Sequence, residues 1–97
     1  MTLNELTSKY ISSAEYVFNN IDVAETQVVL DLTHINDVIN LAKAYLEDAK
    51  YYRERKKFEV SLASIAYCEG LLDALRLLRT VTFKWPTTKT ERKPSGR

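Results

Sequence analysis

Between residues 1 and 85 the chain contains one glycine, Gly70, and no proline; the other glycine and both prolines lie beyond Trp85. Tight turns draw on glycine and proline for backbone conformations that other residues resist. A stretch this poor in both predicts a few long helices rather than a many-turned β fold. The 97 residues suffice for one ordinary domain. With 45% hydrophobic and 28% charged residues the composition is that of a globular chain.

The first helix is expected over residues 3–19. Thr2 and Glu5 have the capping-box spacing, in which a hydroxyl and a carboxylate satisfy each other's orphan backbone N–H groups. Leu3, Leu6, Tyr10, Ala14, Val17 and Ile21 then recur every three or four residues as one apolar face. Asn19-Asn20 supplies a stop, because asparagine tolerates the left-handed cap conformation. Asp22 and Glu25 offer a second start. The run Val28-Val29-Leu30 also suits a strand, yet Ala24, Val28, Ile35, Ile39, Ala42, Leu46 and Ala49 stay in phase with one helix. The reading is a long second helix to Arg55, bent near Thr33. From Ile35 onward its apolar face is Ile35, Val38, Ile39, Leu41, Ala42, Tyr45, Leu46, Ala49 and Tyr52. Arg53–Lys57 forms a charged turn.

The third helix is expected over 58–80. Val60, Ala63, Ala66, Tyr67, Gly70, Leu71, Ala74, Leu77 and Leu78 make its broad apolar face. Glycine costs about 1 kcal/mol relative to alanine inside a helix, so Gly70 among alanines suggests a close backbone approach there. Leu62, Ile65 and Leu72 fall on the far side, among Ser61, Glu69, Asp73 and Arg76. A helix apolar on two faces is either central or buried against a partner. Leu62, Ile65, Leu72 and Arg76 are therefore a candidate partner surface, for another protein or a second copy. The alternative is a folded-back tail over the same side.

Beyond Thr80, Val81, Phe83 and Trp85 alternate with Thr82 and Lys84, an extended period that places aromatics on the bundle. Pro86 holds Trp85 out of helical geometry. From Lys84 to Arg97 five basic residues face one acid, a net +4; the preceding 83 residues carry nine basic and twelve acidic groups, a net −3. The expected architecture is all-α: a small three-helix bundle, built as a long antiparallel hairpin plus an N-terminal helix, over residues 1–85. A flexible basic tail occupies 86–97. Cys68 is the sole cysteine, so no internal disulfide forms and nothing requires an oxidising compartment. MTLNELTSKY lacks a signal pattern and no apolar run is long enough for a bilayer, so a cytoplasmic location without membrane contact is expected.

The stretch Ala42–Leu78 resembles an archaeal family known as the domain of unknown function 357. The resemblance is carried by Ala-Lys-Ala-Tyr-Leu-Glu-Asp-Ala (42–49), Tyr51-Tyr52, and Ala-Tyr-Cys-Glu-Gly-Leu-Leu-Asp-Ala (66–74). It implies a small helical bundle with no established activity. Where the family usually has Gly-Asp in the turn between its helices, this chain has Lys56-Lys57, two cations in place of a turn glycine and a capping acid. Cys68 stands where alanine is common.

Candidate chemistry is sparse. Tyr45, Asp48, Tyr67, Glu69 and Asp73 lie within the matching motifs and would form a polar cluster if antiparallel packing brought the carboxylates together. A cleft for a cation or basic ligand is one reading. The other is interhelical hydrogen bonds or a solvated face, with Asp73 paired to Arg76. The Glu-x-x-His pattern of di-metal bundles does not occur, and His34 is the single histidine. No arginine precedes it, which argues against an Arg–His ribonuclease pair. Cys68 reads as a packing residue. No phosphate-binding glycine loop is present, and no catalytic group, metal or cofactor is expected. Lys56, Lys57, Lys84, Lys89, Arg92, Lys93 and Arg97 are candidate contacts to nucleic acid or the ribosome, with Trp85 or Tyr51 for stacking. Two functions follow: a non-enzymatic protein-interaction module that can self-associate, or a nucleic-acid- or ribosome-associated protein anchored by its basic tail.

Overall fold

A computed structural model describes residues 1–86 of the chain. It contains three helices, α1 (Leu3–Asn20), α2 (Leu32–Glu54) and α3 (Phe58–Leu77). No strand occurs among the described residues. The all-α expectation therefore holds, and the region 87–97 of the expected tail lies outside the described residues.

Helix α1 starts as expected. Thr2 Oγ1 accepts from the Glu5 N–H at 3.0 Å, and Glu5 Oε1 accepts from the Thr2 N–H at 3.1 Å. These bonds, first the backbone one from Thr2, hold the Glu5 carboxyl below its ordinary value. The box is intact above the usual carboxylate range and weakens as pH falls through the lowered value. The helix stops where expected but by another means. Ile21 caps it in an extended conformation, and the Asn20 side-chain amide donates to the Tyr16 carbonyl at 2.8 Å. No asparagine is left-handed.

The long second helix is not formed. Residues 21–31 are an irregular, exposed connection, and α2 begins only at Leu32. Asp31 is extended and its carboxylate accepts from the His34 N–H at 3.1 Å, an N-cap that ends the connection. His34 Nδ1 lies 3.1 Å from the same oxygen. The in-phase residues Ala24 and Val28 belong to no helix, because nothing packs on them and the β-branched run 28–29 disfavours one.

Helices α2 and α3 form an antiparallel hairpin joined by residues 55–57. Ala42 and Ala49 are buried on α2, Cys68 and Leu75 on α3. Ile35, Ala42 and Ala49 repeat every seven residues, as do Ser61, Cys68 and Leu75, which is the seam of a two-helix coil. Small side chains on both sides bring the backbones close enough for Ser61 Oγ to donate to the Ala49 carbonyl at 2.7 Å. Ile65 and Leu72 are half-buried beside this seam. The face of α3 that meets α2 is thus the one expected to be its far side. The expected core line Ala63, Ala66, Gly70 and Ala74 is exposed, and a Cβ built on Gly70 meets nothing within 4 Å. Gly70 marks no close approach within the chain. The close approach is made by Ala42, Ala49, Ser61 and Cys68.

Both hairpin helices end in the same motif. At the end of α2 the Lys56 N–H donates to the Arg53 carbonyl at 3.0 Å and the Lys57 N–H to the Tyr52 carbonyl at 2.9 Å. At the end of α3 the Arg79 N–H reaches the Arg76 carbonyl at 2.9 Å and the Thr80 N–H the Leu75 carbonyl at 3.0 Å. This Schellman pairing needs a left-handed residue, normally glycine. Here Lys56 and Arg79 fill it, each with φ 61°. Lys57 then stands at the α3 N-cap without a side-chain hydrogen bond. Lys56→Gly is expected to raise the unfolding free energy by about 0.5–1 kcal/mol, and Lys57→Asp by about as much through capping. Denaturant unfolding of each variant measures this; unchanged midpoints would show that neither position is strained or uncapped in solution.

Candidate functional site

Helix α1 has no buried residue, and none of its Cα atoms comes within 8 Å of a Cα of α2 or α3. Its first half nevertheless faces the first half of α3 across an open groove of about 610 Å³. Leu3, Leu6, Thr7 and Tyr10 form one wall; Val60, Ala63, Ser64 and Tyr67 form the other, with Tyr45 and Glu59 at the edges. Tyr45 and Tyr67 stack with ring centroids 4.4 Å apart and planes at 15°. Tyr10 lines the same groove as this stacked pair. The lining is mostly apolar and carries one carboxylate. It suits hydrophobic packing rather than acid–base chemistry.

The expected polar cluster separates into three parts. Tyr45 and Tyr67 meet. Asp48 lies exposed on another face of α2, where Glu47, Lys50, Tyr51 and Glu54 share its shallow depression. The hairpin register places Ala49 beside Ser61, so Glu69 and Asp73 sit about two and three turns further along α3 than Asp48's level. Antiparallel packing therefore parts the carboxylates instead of joining them. Asp73 accepts from Arg76 Nη2 at 3.2 Å and from the Trp85 indole N–H at 2.9 Å. Glu69 is half-buried one turn before it.

That second bond fixes the segment after α3. Phe83 and Trp85 meet edge to face at 5.0 Å, and the Arg76 guanidinium lies 6.0 Å from the Phe83 ring centre. The alternating strip thus folds back on the Asp73–Arg76 flank, as the extended pattern predicted. The candidate partner surface is correspondingly dismantled: Ile65 and Leu72 flank the hairpin seam, Arg76 is engaged with Asp73, and Leu62 alone stays fully exposed. Sequence reasoning chose the wrong side of α3 because both sides are apolar. The exposed surface that it missed is Val60, Ala63, Tyr67, Gly70, Ala74 and Leu77.

Of the candidate nucleic-acid contacts, Lys56 and Lys57 are exposed at the hairpin tip beside Arg53 and Arg55, and Lys84 is exposed on the strip. The Arg55 guanidinium lies 3.5 Å above the Tyr51 ring. Lys89, Arg92, Lys93 and Arg97 lie outside the described residues. No group of three or more His, Cys, Asp or Glu residues could hold a metal among the described residues. No helix among them is long and apolar enough to cross a membrane. Cys68 is buried in the seam, and burial, followed by the neighbouring Glu69 charge, pushes its thiol above the ordinary value.

Fold and site together define a small helical-hairpin protein with an appended, loosely held helix and an open apolar groove. The chain belongs to DUF357, a family of proteins of unknown function, whose model matches residues 9–81. That span takes in both hairpin helices and most of α1, well beyond the segment 42–78 that carries the motifs. No curated protein and no solved structure matches the chain.

Two measurements test this geometry. Asp73→Ala is expected to lower stability by about 1 kcal/mol and to red-shift the fluorescence of Trp85, the single tryptophan; an unshifted spectrum would place the strip elsewhere. Cys68 should react with a thiol reagent on the order of 100-fold more slowly in the folded chain than in denaturant. Its raised value favours the neutral thiol in the folded state, so folding stability declines as pH rises above the ordinary thiol range. Equal labelling rates would contradict its burial.

Proposed function

We propose that the chain is a non-enzymatic, cytoplasmic interaction module that binds another protein through the apolar surfaces of α1 and α3. The observation that carries this reading is α1, an 18-residue helix that buries no residue. An isolated helix of this length is marginal in water, and helices in proteins draw their stability mainly from packing an apolar face. Yet α1 exposes Leu3, Tyr10, Ile11, Tyr16, Val17 and Phe18. Such a helix gains its burial from a partner. The separation of Asp48 from Glu69 and Asp73 supports the non-enzymatic part, since the carboxylates of the two helices do not converge.

A second reading draws on the hairpin tip. Arg53, Arg55, Lys56 and Lys57 crowd one exposed end of the molecule, with Tyr51 beneath Arg55. Cations interleaved with an aromatic ring suit contact with nucleic-acid phosphates and bases, at the ribosome or elsewhere.

Affinity purification of the tagged full chain separates the two. A nuclease-resistant protein partner that is lost with Tyr10→Glu is the expected result. Recovery that depends on intact nucleic acid and on residues 87–97, and not on Tyr10, would overturn the interaction module in favour of the second reading.

A further inference from the structure

Helix α3 is covered on two sides and faces α1 across the open groove on a third. Helix α2 takes the side of Ser61, Cys68 and Leu75; α1 overhangs the flank of Val60, Ser64 and Tyr67; the aromatic strip holds the flank of Asp73 and Arg76. The fourth side runs between the last two and is bare. Ala63, Gly70 and Ala74 are exposed, Leu77 is 64% exposed, and Tyr67 at its edge is 52% exposed.

We propose that this fourth side is the contact with a second copy of the chain, the two α3 helices packing antiparallel about a twofold axis at Gly70. The inference rests on the interaction reading above and names its partner. Positions 60, 63, 67, 70, 74 and 77 alternate steps of three and four, the spacing of a coil seam. Reversed about Gly70, the seam fits itself. Tyr67 meets Ala74 of the second copy, Leu77 meets its Ala63, and glycine meets glycine at the axis. On either side of that glycine pair large falls opposite small, which is what a self-complementary isologous contact requires. The last turn of α3 from the second copy enters the groove beneath α1. Tyr10 and Leu6 then gain a hydrophobic neighbour that the chain itself does not supply.

The surface area agrees. The accessible surface is 8621 Å². Residues 87–97 contribute at most about 1,800 Å² as an extended chain, and an 86-residue body folded compactly exposes about 5,200 Å². About 1,600 Å² per chain remains above that expectation. A standard stable interface needs about 800 Å² per partner. That surplus is spread over α1, the exposed connection 21–31 and the bare side of α3, and it exceeds what a dimer burying α1 and the fourth side of α3 needs.

Gly70 provides a clean test, because a side chain there meets nothing within 4 Å in the single chain and is better suited to a helix than glycine. The full chain, Gly70→Arg, Gly70→Glu and an equimolar mixture of the two variants would be compared by sedimentation, with circular dichroism confirming helix content. The wild type is expected at twice the 11.2 kDa chain mass. Each variant alone sets like charges together at the axis and weakens the dimer at least about 30-fold. The mixture restores it, since arginine then faces glutamate. A wild type that stays monomeric at every accessible concentration, with α1 closing on its own hairpin, overturns the proposal. So does a dimer indifferent to both variants. If the monomeric wild type still captures a different protein, and Gly70→Arg abolishes that capture, the second copy is wrong while the interaction module stands. A monomer with no variant-sensitive capture removes both.

Discussion

Everything else in the molecule is arranged around the close contact of Ala42 and Ala49 with Ser61 and Cys68. Small residues at seven-residue intervals on two antiparallel helices let the backbones approach until a serine hydroxyl reaches the carbonyl across the seam at 2.7 Å. That contact sets the hairpin register. The register then decides which other side chains meet. Tyr45 is brought onto Tyr67 at 4.4 Å, while Asp48 is kept well away from Glu69 and Asp73. A larger residue at Ala42 or Ala49 would force the helices apart, and overpacking of this kind costs about 1–3 kcal/mol.

The seam also explains the turn. Two helices this close need a short connection, and three residues, 55–57, make it. So tight a reversal places Lys56 in the left-handed region with φ 61°. The family's usual Gly-Asp would relax both the backbone at 56 and the helix start at 57. This chain instead sets two lysines there, beside Arg53 and Arg55 and at the negative end of the α2 dipole. The charge of Lys56 interacts favourably with that end of the dipole. It offsets part of the conformational cost, and it concentrates positive charge at one end of the molecule.

How much of this was legible in the sequence differs from element to element. The capping box at Thr2 and Glu5 located α1 within a residue, because cap and periodicity agreed. The start of α2 was misjudged because Ala24 and Val28 happen to continue a helical phase that nothing packs against. Asp31 was the available signal, an N-cap residue directly before the clean periodic stretch. The phase of α3 was not recoverable from α3 alone. Ile65, Leu72 and Leu75 make one apolar face, Tyr67, Leu77 and the alanines another, and amphipathicity cannot rank two apolar faces. Matching the seven-residue repeat of Ala42 and Ala49 to that of Ser61 and Cys68 would have selected the right one. The polar cluster failed for the same reason, since convergence of carboxylates on two helices depends on a register that neither helix contains.

An apolar face left over after the core is built has physical consequences. Had α3 packed its glycine–alanine line into the hairpin, Ile65 and Leu72 would have been the surplus, bulky on both sides of any contact. The opposite choice buries cysteine and leucine against alanine. It leaves outside a surface with large and small residues in alternation, which can fit a copy of itself. It also leaves α1 next to that surface rather than in the core, tethered through eleven irregular residues, 21–31. A helix so placed can be buried by whatever occupies the fourth side of α3, so that its packing and the occupation of that side become one event. Ordering of α1 and association are then coupled thermodynamically, each favouring the other.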